Sequence, residues 1–288
     1  SATDGDLDLL VRSDLGLAHN AANILDLVNT ESLLRWLPYE IDAVGVANEL
    51  YNKALHPGTL PQSRRDLLLE QAVAREIIRL AVADITQRGS GPPGVEHLSP
   101  LSVFDVMVAS GGVLASAPSY GQAVLMLVDA LQPVGISRLY LDRDRLATVA
   151  GVLAMVNPLA ASQVLERDGL LCLGTVVAPA GLESEGAGDK ASLTIKIEGE
   201  GGRVRVVRVP HGALRVISLP AGQTAAVEVF SASGSHIPLG GDGQAGPAEV
   251  LGGAVGIIAD ARGRPLPVAG EPAEQRRRLK GWLRAVGA

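Results

Sequence analysis

The sequence predicts an α+β chain: a helical N-terminal segment, a small parallel α/β unit, an antiparallel β barrel or sandwich, and a C-terminal helix. Three observations carry this reading. Apolar residues recur at helical spacing through "SRRDLLLEQAVAREIIRLAVADI" (63–85). Short apolar runs alternate with helical patterns between 101 and 169. Beyond residue 170 the apolar period falls to two. The expected division is 1–100 helical, 101–169 α/β, 170–270 antiparallel β, and 271–288 helix.

Composition sets the outer limits. The 288 residues are 47% hydrophobic and 19% charged, enough to build a core and too apolar for a disordered chain. Aromatics supply only 3%, so the core must be aliphatic. A net charge of −6 argues against a dedicated nucleic-acid binder, which needs a basic face to displace counterions. The single cysteine, Cys172, excludes an intramolecular disulfide and reads as a small hydrophobe within "LLCLGTVVAP". The opening "SATDGDLDLL" lacks the basic start and apolar run of a signal peptide. The long uncharged window 106–128 contains serines, glycines and a proline, so a membrane span is rejected. The expected location is cytoplasmic.

The elements follow in order. Leu7, Leu9 and Val11 alternate as a short strand would. In the 63–85 helix, Ser63 and Asp66 have capping-box spacing, and Leu69, Val73, Ile77 and Leu80 share a face. Arg75, Glu76 and Arg79 fall outside that stripe. "RGSGPPGVEHLSP" (88–100) is a boundary loop. "VFDVMVA" (103–109) and "RLYL" (138–141) are strands separated by a helix through Val124, Leu127, Val128 and Leu131, which Pro133 stops. Strands joined by helices of this length pair in parallel. Leu146, Val149, Leu153 and Val156 form the next helical face. Asn157-Pro158 then caps a further helix that ends near Gly169. Leu193, Ile195 and Ile197 alternate with Thr194, Lys196 and Glu198, and "RVRVVRVP", "RVISL", "AAVEVF" and "AVGIIADARGRPLPV" follow as strands. Leu279, Trp282, Leu283 and Val286 give the last helix its apolar face.

Chemistry-bearing motifs are sparse. Gly111-Gly112 follows an apolar strand, where bare Cα atoms let a backbone lie against a ribose or phosphate, or simply let the chain turn sharply. No G-x-G-x-x-G, Walker A or G-x-S-x-G pattern is present. Asp14-Leu15-Gly16 lacks a following hydroxyl, so Asp14 and Asn20 are expected in a turn or cap. The five histidines are scattered without ligand spacing, and no metal site is expected. "LGGDGQAG" (239–246) is explained by a hairpin, and "RRRLK" (276–280) by a solvated helix face.

Several strings together resemble a known family. "RSDLGLAHNA", "NKALHPGTLP" with "EQAVAREIIRLA", "VASGGVLA", "VDALQPVGISRLYLDRDRL", "LGTVVAP" and "GIIADARGRPL" are similar to the MutL proteins associated with glutamate mutase, the GlmL family, which is unrelated to mismatch-repair MutL. The resemblance implies half of an actin/Hsp70-like ATPase lobe. The role it implies is ATP-dependent chaperoning or reactivation of a coenzyme-B12-dependent carbon-skeleton mutase. It also implies that Ser110, Gly111 and Gly112 touch the adenosine, with Arg75 or Glu76 near the adenine or ribose. ATP or ADP with Mg2+ would be the cofactor of the full-length protein, and the mutase its partner. The family's two D-x-G-x-T phosphate hairpins are absent from these 288 residues. The expectation is therefore a C-terminal part that holds the adenosine half of a site and is inactive as an ATPase by itself. The competing expectation is a noncatalytic module that binds a partner through its β-domain.

Overall fold

A computed structural model describes residues 11–88, 104–180, 191–198, 203–231, 237 and 247–288. The expected strand at 7–11 (Val11 apart), the loop at 89–100 and the 239–246 hairpin lie outside those residues. The chain divides into two compact units. One takes Ser1–Ser102, Asp129–Leu131 and Val268–Lys280; the other takes Val103–Val128, Gln132–Pro267 and Gly281–Ala288.

The first unit is helical. Asn20 donates to the Ser13 carbonyl and Asn23 to that of Asp14, a turn use of this polar stretch. Helices α1 (Ile24–Leu27), α2 (Thr30–Leu34), α3 (Ala43–Leu55) and α4 (Arg64–Arg88) follow. Asn29 caps α2, and Asp42 caps α3 by accepting the Gly45 N–H at 2.7 Å. The capping box of α4 is made in both directions. Ser63 N–H donates to Asp66 at 2.9 Å, and Asp66 N–H donates to Ser63 Oγ at 3.3 Å. Ile24, Leu33, Leu37, Val46, Leu50, Leu69 and Val73 build its core.

The second unit holds two open sheets. Strands β1 (Val106–Ala109), β2 (Gly135–Leu141), β3 (Leu171–Ala178), β6 (Leu214–Ile217) and β9 (Gly256–Asp260) form one, in the order β1-β2-β3-β9-β6. Strands β4 (Ala191–Glu198), β5 (Val204–Pro210), β7 (Thr224–Ser231) and β8 (Pro247–Leu251) form the other, in the order β5-β4-β7-β8. β1 and β2 pair in parallel, as the intervening helix α6 (Tyr120–Leu131) requires. The first sheet takes strands from both sides of residue 170 and is mixed: β2–β3 and β6–β9 are antiparallel, β3–β9 parallel.

The second sheet is antiparallel throughout, and its even-numbered and odd-numbered positions separate as the period of two predicts. Leu193, Ile195 and Ile197 are buried against Val177, Ile217, Ile257 and Ala259 of the first sheet, so the two sheets share one apolar core. That is the sandwich alternative rather than a closed barrel. β8 has no counterpart among the expected strands.

Two helical faces depart from expectation. α6 is buried on nearly every side, including Gln122 and Asp129, instead of along one stripe. α7 (Ala147–Ala154) and α8 (Pro158–Val164) bury small residues, Ala150 and Ala161, while Val149 and Val156 stand 65% and 85% exposed. Helical spacing records amphipathicity but not which side of a pair of short helices meets the core. α8 nonetheless begins as expected, with Asn157 accepting the Ala160 N–H at 3.1 Å and Pro158 at the first helical position. The last helix, α9 (Pro272–Ala285), buries Leu279, Trp282 and Leu283, and Val286 is buried just beyond it.

Candidate functional site

The parallel strands β1 and β2 end side by side, with Ala109 in register with Leu141. Ligands in parallel sheets sit beyond the carboxyl ends of strands, where the chain leaves the sheet. Here the chain leaves through Ser110-Gly111-Gly112 on one strand and Asp142-Arg143-Asp144 on the other. All three residues of the first segment are exposed.

The two glycines differ physically. Gly111 has φ 126° and ψ 150°, a conformation open essentially to glycine alone. It precedes the four-residue helix α5 (Gly112–Ala115). Gly112 has no such backbone need, and a Cβ built on it meets nothing within 4 Å. Among the described residues nothing requires glycine at 112. What glycine provides there is a bare Cα facing open space.

Asp142 ties the two strand ends together, and its side chain is buried. It accepts the Ser110 hydroxyl at 2.8 Å, the Leu146 N–H at 2.7 Å and the Ala147 N–H at 3.2 Å. Its own N–H donates to the Ala109 carbonyl at 2.8 Å. One carboxylate therefore fixes the Ser110 side chain and satisfies the first turn of α7. Beside it, Arg143 contacts Asp144 at 2.8 Å and holds that carboxyl below its usual range. Asp142 was not anticipated as a site residue. The signal is visible afterwards in "LYLDRDRL", an acid placed directly between a strand and a helix.

Arg75 and Glu76 stand elsewhere, in α4 of the helical unit, and both are buried. Arg75 Nε donates to Asp129 at 2.7 Å and Nη1 to the Gln71 carbonyl at 3.0 Å. Glu76 accepts Arg35 and the Trp36 indole N–H on Oε1, each at 2.8 Å, and Arg79 on Oε2 at 2.7 Å. The Arg35 guanidinium also lies over the Trp36 ring at 4.5 Å. Charged side chains enter an interior when they find partners, and here both have them.

Comparison with known proteins adds one finding. The family model described as MutL protein matches residues 4–169, more than half of the chain and including both strand ends described above. The chain belongs to the MutL family. That is the glutamate mutase-associated family. Neither a curated protein nor a solved structure matches the chain.

The MutL match ends at residue 169, before β3, so two of the resembling strings, "LGTVVAP" and "GIIADARGRPL", which fall on β3 and β9 of the first sheet, lie outside it. The latter builds a buried charge cluster. Asp260 accepts Arg262 Nε at 2.9 Å and, on its other oxygen, Nη2 atoms of Arg262 and Arg264 at 2.8 Å each. Burial alone would push the Asp260 carboxyl up, but the two guanidiniums override it and hold it well below the carboxylate range. Arg264 Nε donates to the Pro133 carbonyl at 3.0 Å, and Arg262 stacks on Trp282 at 4.7 Å. The cluster fastens the end of β9 to the start of β2 and to the last helix. It is a structural device within the unit. Cys172 is half-buried, with burial pushing its thiol up, which disfavours the reactive thiolate. Among the described residues no helix is long and apolar enough to cross a membrane.

Proposed function

We propose that the chain is part of a nucleotide-dependent factor that chaperones or reactivates a coenzyme-B12-dependent carbon-skeleton mutase of the glutamate mutase type. In this reading Ser110, Gly111 and Gly112 are its adenosine contact. The observation that carries the reading is Gly112: an exposed glycine at the end of a parallel strand, required neither by backbone strain nor by a neighbour. A base or ribose lying on the backbone supplies the reason that the protein's own packing does not. Family membership supports the association with glutamate mutase. Arg75 and Glu76, the other residues that the resemblance directs toward adenine or ribose, would have to exchange their present partners Asp129, Arg35, Trp36 and Arg79 to reach a ligand.

Triphosphate chemistry needs amide-lined phosphate loops and a carboxylate-held Mg2+. The reading accordingly assigns binding of the nucleoside, and no catalytic step, to these residues. Titrating the chain with ADP and Mg2+ while following the backbone amide signals of residues 110–116 tests it. Those signals are expected to shift saturably, and Gly112→Val is expected to abolish the shift while the chain stays folded. A folded Gly112→Val protein that binds ADP like the parent sinks the assignment.

A further inference from the structure

The open end of the two-sheet core contains a cleft of about 440 Å3 that the nucleotide reading does not use. Its floor is aliphatic, with Ile197, Ile217 and Ile257 contributed from both sheets. Its rim carries Arg203, Arg205, Ser218, Gln223 and Thr224, and among the described residues no carboxylate lines it.

The position of the arginines is unusual for their chemistry. On β5, Val209 and Val207 face the shared core, and Arg205, in register with Ile197 of β4, continues that same row. Arg203 extends it by one more step. Core-facing positions thus change from valine to arginine where the sandwich opens. Neither guanidinium has an ion pair or hydrogen-bond partner among the described residues. Residues 203–227 contain four arginines and not one Asp or Glu, in a chain whose net charge is −6. β5 is also an edge strand, and inward-pointing charges are one device that guards an edge. Edge guarding does not call for an aliphatic floor or for the polar rim of Ser218, Gln223 and Thr224.

We propose that this cleft binds a small organic anion, a single carboxylate or phosphate group on a short aliphatic body, gripped by Arg203 and Arg205. Guanidinium groups recognise such oxyanions through paired, charge-assisted hydrogen bonds. The isoleucine floor takes the aliphatic body, and the cleft volume lies within the range of small-molecule sites.

Calorimetric titration of the full chain with butyl phosphate and with valerate tests the proposal, the two arms separating phosphate from carboxylate; inorganic phosphate and butanol are the controls. One of the two organic anions is expected to bind saturably, tighter than inorganic phosphate, with butanol silent. On binding, amide signals across 218–224 should shift. Arg203→Gln and Arg205→Gln should each weaken binding about tenfold, the effect of losing one charge-assisted contact. Arg208→Gln, which removes a charge from the opposite face of the same strand, should leave binding unchanged. The proposal falls if neither anion binds saturably, if the shifts arise elsewhere, or if Arg208→Gln weakens binding as much as Arg205→Gln. It falls equally if the Arg203→Gln/Arg205→Gln protein aggregates yet binds as before, which would leave edge guarding as the role of both residues. Should the glutamine variants not fold, the amide shifts of the parent chain decide alone.

Discussion

Gly111 and Gly112 are adjacent in sequence and opposite in expected response to substitution. Gly111→Ala forces a side chain into φ 126°, a region that costs a non-glycine residue about 1–3 kcal/mol. Gly112→Ala enters the first turn of α5 at an ordinary φ with nothing within 4 Å of the new methyl. Removing glycine's freedom from the unfolded chain there stabilises by about 0.4–1 kcal/mol. The two variants should therefore differ by about 1.4–4 kcal/mol, with opposite signs relative to the parent. Urea unfolding reads this directly, with Trp282, buried in the same unit, as the fluorescent reporter. Nucleotide binding should follow the opposite order: lost with a bulky side chain at 112 although the fold is unharmed. Equal destabilisation by both alanines would refute the reasoning, because Gly112 would then be a requirement of the turn and would need no ligand to explain it.

Three further outcomes follow from the buried charges and the exposed helices. Glu76→Gln keeps the shape of a side chain that is 0% exposed but removes the charge that Arg35 and Arg79 share, so chemical unfolding should show a loss of about 3 kcal/mol, whereas a loss below about 1 would mean that the pairs are nearly neutral. Asp260 is held below its ordinary value of 3.8, so its pairing stabilises the fold above that pH and is lost as pH falls through the lower folded-state value. Stability measured downward from pH 5 should therefore decline more steeply in the parent than in Asp260→Asn, which starts lower and has that slope removed; parallel curves would contradict the assignment. Val156→Ser, at a position 85% exposed, should shift stability by less than about 0.5 kcal/mol, and a larger cost would show that the α7–α8 face is covered in solution.

What the sequence made legible was local. Ser63 and Asp66 are three residues apart, and their reciprocal hydrogen bonds need nothing else. Asn157-Pro158 starts α8 for the same reason, and Leu193, Ile195 and Ile197 alternate because a half-buried strand imposes a period of two. The burial of Arg75 and Glu76 depends instead on Asp129, 54 residues away, and on Arg35, 41 residues away. No helical periodicity reports partners at such distances, so the spacing places both residues only outside the apolar stripe. The mixed first sheet is hidden for a similar reason. β9 joins β3 across an interval that contains the whole second sheet, and only pairing in three dimensions shows it. The glycine pair lies between these cases. Its presence was plain, but the difference between its members rests on one dihedral angle and on the absence of neighbours.

That difference bears on what kind of site the strand ends can form. Asp142 is the only carboxylate hydrogen-bonded to the Ser110–Gly112 segment among the described residues, and both its oxygens are in use: Oδ1 accepts the Leu146 amide, and Oδ2 accepts the Ala147 amide and the Ser110 hydroxyl. A cation bound there would compete with the amides of the first turn of α7 for the same oxygens. The effect of Asp142 on Ser110 is to fix where the hydroxyl oxygen points, and a serine whose proton is committed to Asp142 presents that oxygen as an acceptor. An acceptor oxygen beside a bare backbone suits the amino and hydroxyl donors of a nucleoside better than the oxygens of a phosphate. Under the proposed adenosine role, that oxygen would meet the amino or hydroxyl donors of the nucleoside.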